Sequence, residues 1–257
     1  MPSPLSEQIA SDIAALGVRP GDVLLVHSSL KSLGRAECTP RDVIEALLSA
    51  VGEEGTLLMP ALSYATVGPR PRQTTSFDVL RTKSCIGAVP EFFRTMAGVA
   101  RSVHPTHSVC GIGARAAEML ADHHLDTTPC GEHSPFRRLP LAGGKLLMLG
   151  CGLRPNTSMH GVEELAPIQP FIGEPVDYRI ILPDGTEIAV RIRRHAFGEH
   201  RQRYDRVGPL MPPGTMAKGK VLAADAHLLD AAAMWKGALD AMNRDPYHFV
   251  EKAEKAT

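Results

Sequence analysis

Charge of one sign is what this sequence most plainly lacks. Lys and Arg number 28 and Asp and Glu number 28, so the formal net charge is zero. No global field draws nucleic acid or a polycation to the surface, and only a local charged pocket remains open to it. Long apolar runs are missing too: none approaches the ~20 residues of a membrane-spanning helix, so no membrane partner is expected. The start, Met1-Pro-Ser-Pro-Leu-Ser-Glu7, has no basic stretch followed by an apolar core and predicts no signal peptide. Cysteines are few and unpaired in pattern. Cys38, Cys85, Cys110, Cys130 and Cys151 make an odd count, and no two form Cys-x-x-Cys. That argues against a disulfide framework or zinc ribbon and for a reducing cytoplasm. Cys110 and Cys151 sit in apolar runs and read as buried thiols. Cys130, in a polar loop, is the one candidate for reactivity, although no base stands beside it in sequence.

What is present is an ordinary globular chain of 257 residues, 44% hydrophobic and 22% charged, without internal repeats. Its centre is the stretch Lys145-Leu-Leu-Met-Leu-Gly150 followed by Cys151-Gly-Leu-Arg-Pro-Asn-Thr-Ser-Met-His-Gly-Val-Glu-Glu164. The apolar run predicts a buried strand. The rest predicts a tight loop and a helix that starts near Asn156 as N-cap. Such strand-to-helix junctions are where open α/β sheets hold ligand groups. On that helix both Glu163 and Glu164 fall at spacings that bring a carboxylate beside His160. A carboxylate on one ring nitrogen fixes the tautomer and supports the charge the ring gains as a base. The spacing alone equally describes a surface ion pair.

The remaining elements follow from periodicity and punctuation. A first helix runs from Ser6 to Gly17, and Asp22–His27 reads as a buried strand. It leads into Ser28-Ser-Leu-Lys-Ser32, whose hydroxyls and backbone N–H groups suit phosphate oxygens, although the Walker spacing is absent. Thr39 and Pro40 open a second helix that Gly52 closes, and Gly55–Pro60 is a second strand, parallel to the first by the crossover rule. Residues 63–84 are irregular, as a binding loop or lid would be. Ile86–Met96 and Ala114–His124 read as helices around a strand at Ser108–Ile112, with the pair His123-His124 placed to suit a helix C-terminus. His104 and His107 stand three apart, but Pro105 and the lack of a nearby acid speak against zinc. Ser134 and Pro135 open a short helix. Tyr178–Leu182 and Thr186–Ile192 flank Pro183-Asp-Gly185 as a hairpin. Residues 195–213 are irregular and rich in Arg and His, Lys220–Ala224 reads as a last strand, and Ala226–Asn243 as a last helix.

Several of these islands in this order resemble the aminoglycoside 3-N-acetyltransferase family. They are Val26-His-Ser-Ser-Leu-Lys-Ser-Leu-Gly34, Gly55-Thr-Leu-Leu-Met-Pro60, Gly87-Ala-Val-Pro-Glu-Phe-Phe-Arg94, Arg101-Ser-Val-His-Pro-Thr-His-Ser-Val109, Ser134-Pro-Phe-Arg-Arg-Leu139 and Asn156-Thr-Ser-Met-His-Gly-Val-Glu163. The resemblance implies one α/β domain over residues 1–257, with a central mixed, largely parallel sheet flanked by helices and a C-terminal β-hairpin and helix. It implies direct transfer of acetyl from acetyl-CoA to an amine, without a metal, and with it antibiotic resistance. The expected acceptor is the 3-amine of a deoxystreptamine aminoglycoside; the alternatives are another small amine or a binding module without catalysis. It makes Ser28, Ser29, Leu30, Lys31 and Ser32, joined by Ser108, Val109 and Phe136, the lining for CoA. His160 becomes the base and Glu163 its partner; the oxyanion that the attack creates needs donors aimed at it, for which backbone N–H groups near Ser108 and Val109 are the candidates. Tyr64, Asp78 and Glu163 become candidate acceptor contacts; the irregular segments at 64–84 and 195–213 match no pattern of the family and are expected to shape the acceptor pocket. A covalent route through Cys110 or Cys151 and a hydrolase metal on His104, His107 and His160 are the rival chemistries. The oligomeric state is not legible.

Overall fold

The computed structural model describes residues 3–253; Met1 and Pro2 of the stretch that predicts no signal peptide lie outside that range. The amino-terminal half alternates helices and strands. Helix α1 (Pro4–Leu16) is capped by Ser3 and closed by Gly17, which takes the left-handed conformation at φ 114°. Strand β1 (Val23–Ser28) follows, then a 3-10 turn at Leu30–Leu33. Helix α2 (Pro40–Val51) starts on a capping box in which Thr39 and Asp42 satisfy each other's backbone N–H. After it come β2 (Thr56–Pro60), β3 (Ser76–Asp78), α3 (Ala88–Arg94), β4 (Ala100–Arg101) and β5 (Val109–Gly113). The second half holds α4 (Ala116–Leu120), α5 (Pro135–Leu141), β6 (Lys145–Leu149) and α6 (Ser158–Leu165). It continues with β7 (Ile172–Ile181), β8 (Glu187–His195), β9 (His200–Gln202), β10 (Met216–Val221), β11 (Ala224–Asp230), α7 (Ala231–Arg244) and β12 (Val250–Lys252).

The main sheet has seven strands in the order β10-β11-β6-β1-β2-β5-β4. It is mixed as expected: β6, β1 and β2 run parallel at its centre, and the strands on both flanks are antiparallel. Alternate residues of the central strands face opposite layers. Leu24 and Val26 join Ile9, Ile13, Val43 and Leu47 of α1 and α2 in one core. Leu25, Leu146 and Met148 join Phe136, Val162, Met234 and Trp235 of α5, α6 and α7 in the other. A second sheet, β3-β7-β8, has its own small core around Phe77, Tyr178, Ile180 and Ile192. No helix among the described residues is long and apolar enough to cross a membrane.

Three expectations are corrected. Lys220–Ala224 is not one strand: Lys220 and Val221 end β10, Leu222 and Ala223 make the hairpin turn, and Ala224, paired with Val221, begins β11. The last helix begins at Ala231, because residues 226–230 continue β11 against β6. The helix read from Ala114 to His124 stops at Leu120, and His123 is wholly buried, its ring pushed down to about 3 by desolvation. A neutral buried ring does not serve a helix dipole. Its Nδ1 instead pairs with Ser102 Oγ at 2.9 Å.

The topology positions the site. The chain leaves β1 toward β2 on one side, while β6 lies on the other. Between the carboxyl ends of β1 and β6 the connections diverge, which opens a crevice there. Into it run the loop after Ser28 and the loop after Leu149. Gly150 lets the two meet: at φ 72° it takes a conformation other residues resist, and a Cβ there would lie 2.8 Å from Ser32 Cβ.

Candidate active site

Helix α6 is fixed before its first turn. Asn156 is buried; its Oδ1 accepts from the Ser158 N–H at 3.1 Å and its Nδ2 donates to Met234 Sδ at 3.1 Å. The N-cap is Thr157 rather than Asn156, but the Asn156 side chain still satisfies a first-turn donor. Trp235 Nε1 donates to Ser158 Oγ at 2.8 Å, which ties the same turn to α7. Close packing of these helices depends on Gly161, where a Cβ would fall 2.4 Å from the Trp235 ring.

This frame holds a triangle of polar atoms. His160 Nδ1 lies 2.9 Å from Glu163 Oε2 and 2.9 Å from the Tyr204 hydroxyl, and that hydroxyl donates to the same Oε2 at 2.9 Å. An ionised carboxylate only accepts, so the Nδ1 proton is held there and the lone pair lies on Nε2. Glu163 and Tyr204 are buried, and the phenol is pushed well above its ordinary range by desolvation and by the Glu163 charge. Tyr204 therefore remains a donor.

A second pair stands beside the first. The His195 ring stacks on His160 with centroids 4.1 Å apart. His195 Nε2 is 2.9 Å from Glu164 Oε1, a contact too bent for a hydrogen bond, so both its ring nitrogens lack hydrogen-bond partners. Glu164 accepts from Thr128 Oγ1 at 2.5 Å and from the Cys130 N–H at 3.0 Å, and burial raises its carboxyl to about 7. His107 meets both rings edge-on, at 5.7 Å from His160 and 5.5 Å from His195. Burial holds His107 and His195 well below the ordinary histidine range, so both are neutral.

His107, His160 and His195 are also a group in which one ring nitrogen of each lies within 4.8 Å of one from the others. A tetrahedral zinc draws in-plane lone pairs to one point at about 2.0–2.1 Å. The planes of His160 and His195 are stacked at only 19°, so their lone pairs run side by side and do not converge. This arrangement does not fit a metal without rotating a ring out of its stack. His104 is not one of these three; it meets His107 edge-on at 6.1 Å and stacks on His123. Its Nδ1 accepts the backbone N–H groups of Thr106 and His107.

Two cavities meet at this point. The first, about 730 Å³, is lined by His27, Tyr64, His107, His160, His195 and Tyr204 among others. The second, about 620 Å³, lies over Ser28, Ser29, Leu30 and Lys31 and the start of α3. Ser28 and Ile86 line both. Of the residues expected to line the CoA site, Ser28 to Lys31 are therefore together, and Ser32 supports them through a 2.8 Å contact between its Oγ and that of Ser29. Ser108, Val109 and Phe136 are elsewhere. Ser108 Oγ donates to Ala61 O and accepts from Arg101 Nε, the Val109 N–H is taken by Ser102 Oγ, and Phe136 is wholly buried in the core. Neither Ser108 nor Val109 lines either of these two cavities, and the Val109 N–H, already taken, is not free to serve as an oxyanion donor.

Of the candidate acceptor contacts Tyr64 and Asp78, Tyr64 lines the first cavity and Asp78 does not. Its Oδ1 accepts from the Leu80 and Arg81 N–H groups and closes a turn. Glu163 reaches His160 rather than the cavity wall. Its Oε1 is buried without a hydrogen-bond partner, and Glu163 lines neither of these two cavities. The cysteines are thiols: burial raises Cys110 and Cys151 to about 12, and it raises Cys130, which is wholly buried within its loop, well above the ordinary thiol range. Sequence reasoning missed Tyr204 and His195, at which only the Arg- and His-rich character of residues 195–213 hinted, and it set Glu164 beside His160 where the structure sets it beside His195.

The sequence model of the family described as aminoglycoside 3-N-acetyltransferase matches residues 25–243. Aminoglycoside N(3)-acetyltransferase VII of Streptomyces paromomycinus is 32% identical over 256 residues, covering 87% of this chain and 86% of that protein. Among solved structures, AAC-IIIb in binary complex with CoASH superposes with a TM-score of 0.79 at 30% identity, over 97% of both chains. Aminoglycoside acetyltransferase AAC(3)-IVa in complex with gentamicin gives 0.77 at 30% identity, over 94% of this chain and 89% of that one.

Proposed function

From the premise that the chain belongs to the aminoglycoside 3-N-acetyltransferase family, a family of acyltransferases, we propose that it acts as a single domain that moves acetyl from acetyl-CoA to a primary amine, with His160 as general base. The observation that carries this reading is the His160–Glu163–Tyr204 triangle beside a cavity that joins a hydroxyl-lined one at Ser28. A pure binding module has no use for a base held in one tautomer.

The donor enters the second cavity. The Ser28–Ser32 loop offers hydroxyls and Lys31 to the phosphates, and the pantetheine arm passes Ser28 and Ile86 toward His160. An amine reaches the first cavity as an ammonium and gives one proton to solvent. As its nitrogen attacks the thioester carbon, His160 Nε2 takes the second, and Glu163 offsets the charge on the ring. The new C–N bond forms, the C–S bond breaks, and the CoA thiolate leaves with the proton from His160. General base catalysis of this kind contributes about 10²–10⁴-fold. Cys110 and Cys151 stay protonated, which leaves no thiolate for a covalent intermediate.

Family membership and the gentamicin complex of a structural neighbour favour the 3-amine of a deoxystreptamine aminoglycoside as acceptor, and with it a role in antibiotic resistance. The lining of the first cavity favours a second reading, a different amine, because it holds arginines and no carboxylate. The test is acceptor-dependent release of CoA thiol from acetyl-CoA, followed with a thiol reagent, beside calorimetry of CoA binding. CoA binding with acceptor-dependent release supports the reading; no CoA binding by the native protein removes it.

A further inference from the structure

We infer that the acceptor amine carries an anionic group, a carboxylate or phosphate, recognised by Arg70, Arg154 and Arg194; this rests on the acetyl-transfer reading above and narrows it.

Three arginines line the cavity that holds His160, and no Asp or Glu does. They come from three separate elements: Arg70 from the 63–84 loop, Arg154 from the loop before α6, and Arg194 from β8. The arginines around them are spent on partners. Arg203 is bound to Asp205 and Glu251, Arg191 to Asp177, and Arg101 to the carbonyls of Val79, Thr82 and Ala61. Arg70, Arg154 and Arg194 form no salt bridge among the described residues. Arg154 gives only its Nε, to Gln202 O at 3.1 Å. Asp205 feels its charge but is itself gripped by Arg203 at 2.8 Å. Arg194 is half-buried and passes over Gly68, where a Cβ would come within 2.6 Å of Nη1, so a side chain at that position would displace the guanidinium.

The carboxylates behind the wall do not reverse the sign. Glu163 is held by His160 and Tyr204, and Glu164, raised to about 7, is held by Thr128 and the Cys130 N–H. The donor's phosphates do not account for these arginines either, because the second cavity supplies its own cations, Lys31 and Arg35. Guanidinium forks are suited to carboxylate and phosphate oxygens, to which they bond in pairs. An aminoglycoside brings several ammonium groups to the same wall, and like charges placed together disfavour binding. Neutral rings at His107 and His195 leave space for the reacting nitrogen without adding charge.

The experiment compares matched acceptors by kcat/KM in the thiol-release assay: γ-aminobutyrate against butylamine, phosphoethanolamine against ethylamine, and kanamycin beside them. The anionic member of at least one pair is favoured by about ten-fold or more, the scale of one charge-assisted hydrogen bond, and its KM rises with salt. Arg194→Gln and, separately, Arg154→Gln lower that ratio through KM rather than kcat, with CoA binding by calorimetry reporting that each variant is folded. Kanamycin turned over in preference to both anionic amines overturns the inference and leaves acetyl transfer standing. Equal rates within both pairs also overturn it. No release with any amine removes the acetyl-transfer reading, and this inference with it.

Discussion

The Tyr204 hydroxyl donates to Glu163 Oε2 at 2.9 Å, across a gap of 41 residues in sequence. Both groups are buried, so the carboxylate that steadies His160 depends on this donor for its own stabilisation. Tyr204→Phe keeps the ring that packs in the core and removes only the hydroxyl. It lowers kcat by about ten-fold, since a hydrogen bond to a charged group contributes roughly 1.5–3 kcal/mol, and leaves KM for acetyl-CoA near the native value. Steady-state kinetics on the purified variant check this; an unchanged kcat removes Tyr204 from the site.

Gly161→Ala tests the packing beneath the site. A Cβ there meets the Trp235 ring at 2.4 Å and 2.7 Å, and Trp235 is pinned by its bond to Ser158. Overpacking of this kind costs about 1–3 kcal/mol. Thermal unfolding shows a lower Tm than the native protein, and turnover falls with it because Ser158 begins the helix that carries His160.

Acid lowers stability from a definite pH. His27 and His123 are buried and neutral, each held at about 3 against an ordinary value of 6.5. The folded protein binds fewer protons than the unfolded chain between those limits. Their contribution is complete above 6.5 and is lost as pH falls toward 3, at about 1.4 kcal/mol per pH unit for each ring. Glu164 acts the other way: raised to about 7 from 4.5, it favours the folded state below that window and loses its contribution as pH rises through 7. The histidines outnumber it, since His104, His107 and His195 are lowered as well. Urea midpoints therefore fall steadily from pH 6.5 to 4. A flat midpoint across that range contradicts buried neutral rings.

Lys31→Ala weakens CoA binding several-fold in calorimetry, and the difference shrinks with added salt because Lys31 is exposed at the mouth of its cavity. Equal affinities at low salt place the phosphates elsewhere.

Much of this arrangement was legible where the signal is local. Thr39 with Pro40, Gly17, the Pro183-Asp-Gly185 turn and the buried run at 145–149 all act through their nearest neighbours, and the elements they mark are where periodicity puts them. His160 and Glu163 are one helical turn apart, so spacing brought them together. Tyr204, His195 and the three arginines reach the cavity from distant segments, and no local pattern records such meetings. Residues 226–230 show the competing force: their composition suits a helix, but hydrogen bonds to β6 hold them in the sheet. Ser108, Val109 and Phe136 lie in matching stretches yet serve the core, since resemblance marks a segment without saying which side of it faces the cavity.

The most direct test of the account is turnover of purified His160→Ala at saturating acetyl-CoA, with an acceptor the native protein uses. Circular dichroism and CoA calorimetry on the same sample establish that it is folded and loaded. The account predicts native-like CoA binding with kcat lower by about two to four orders of magnitude, and a smaller loss for Glu163→Gln, which keeps a side chain of the same shape beside the ring. Near-native kcat in His160→Ala would contradict the account and remove the base from the mechanism.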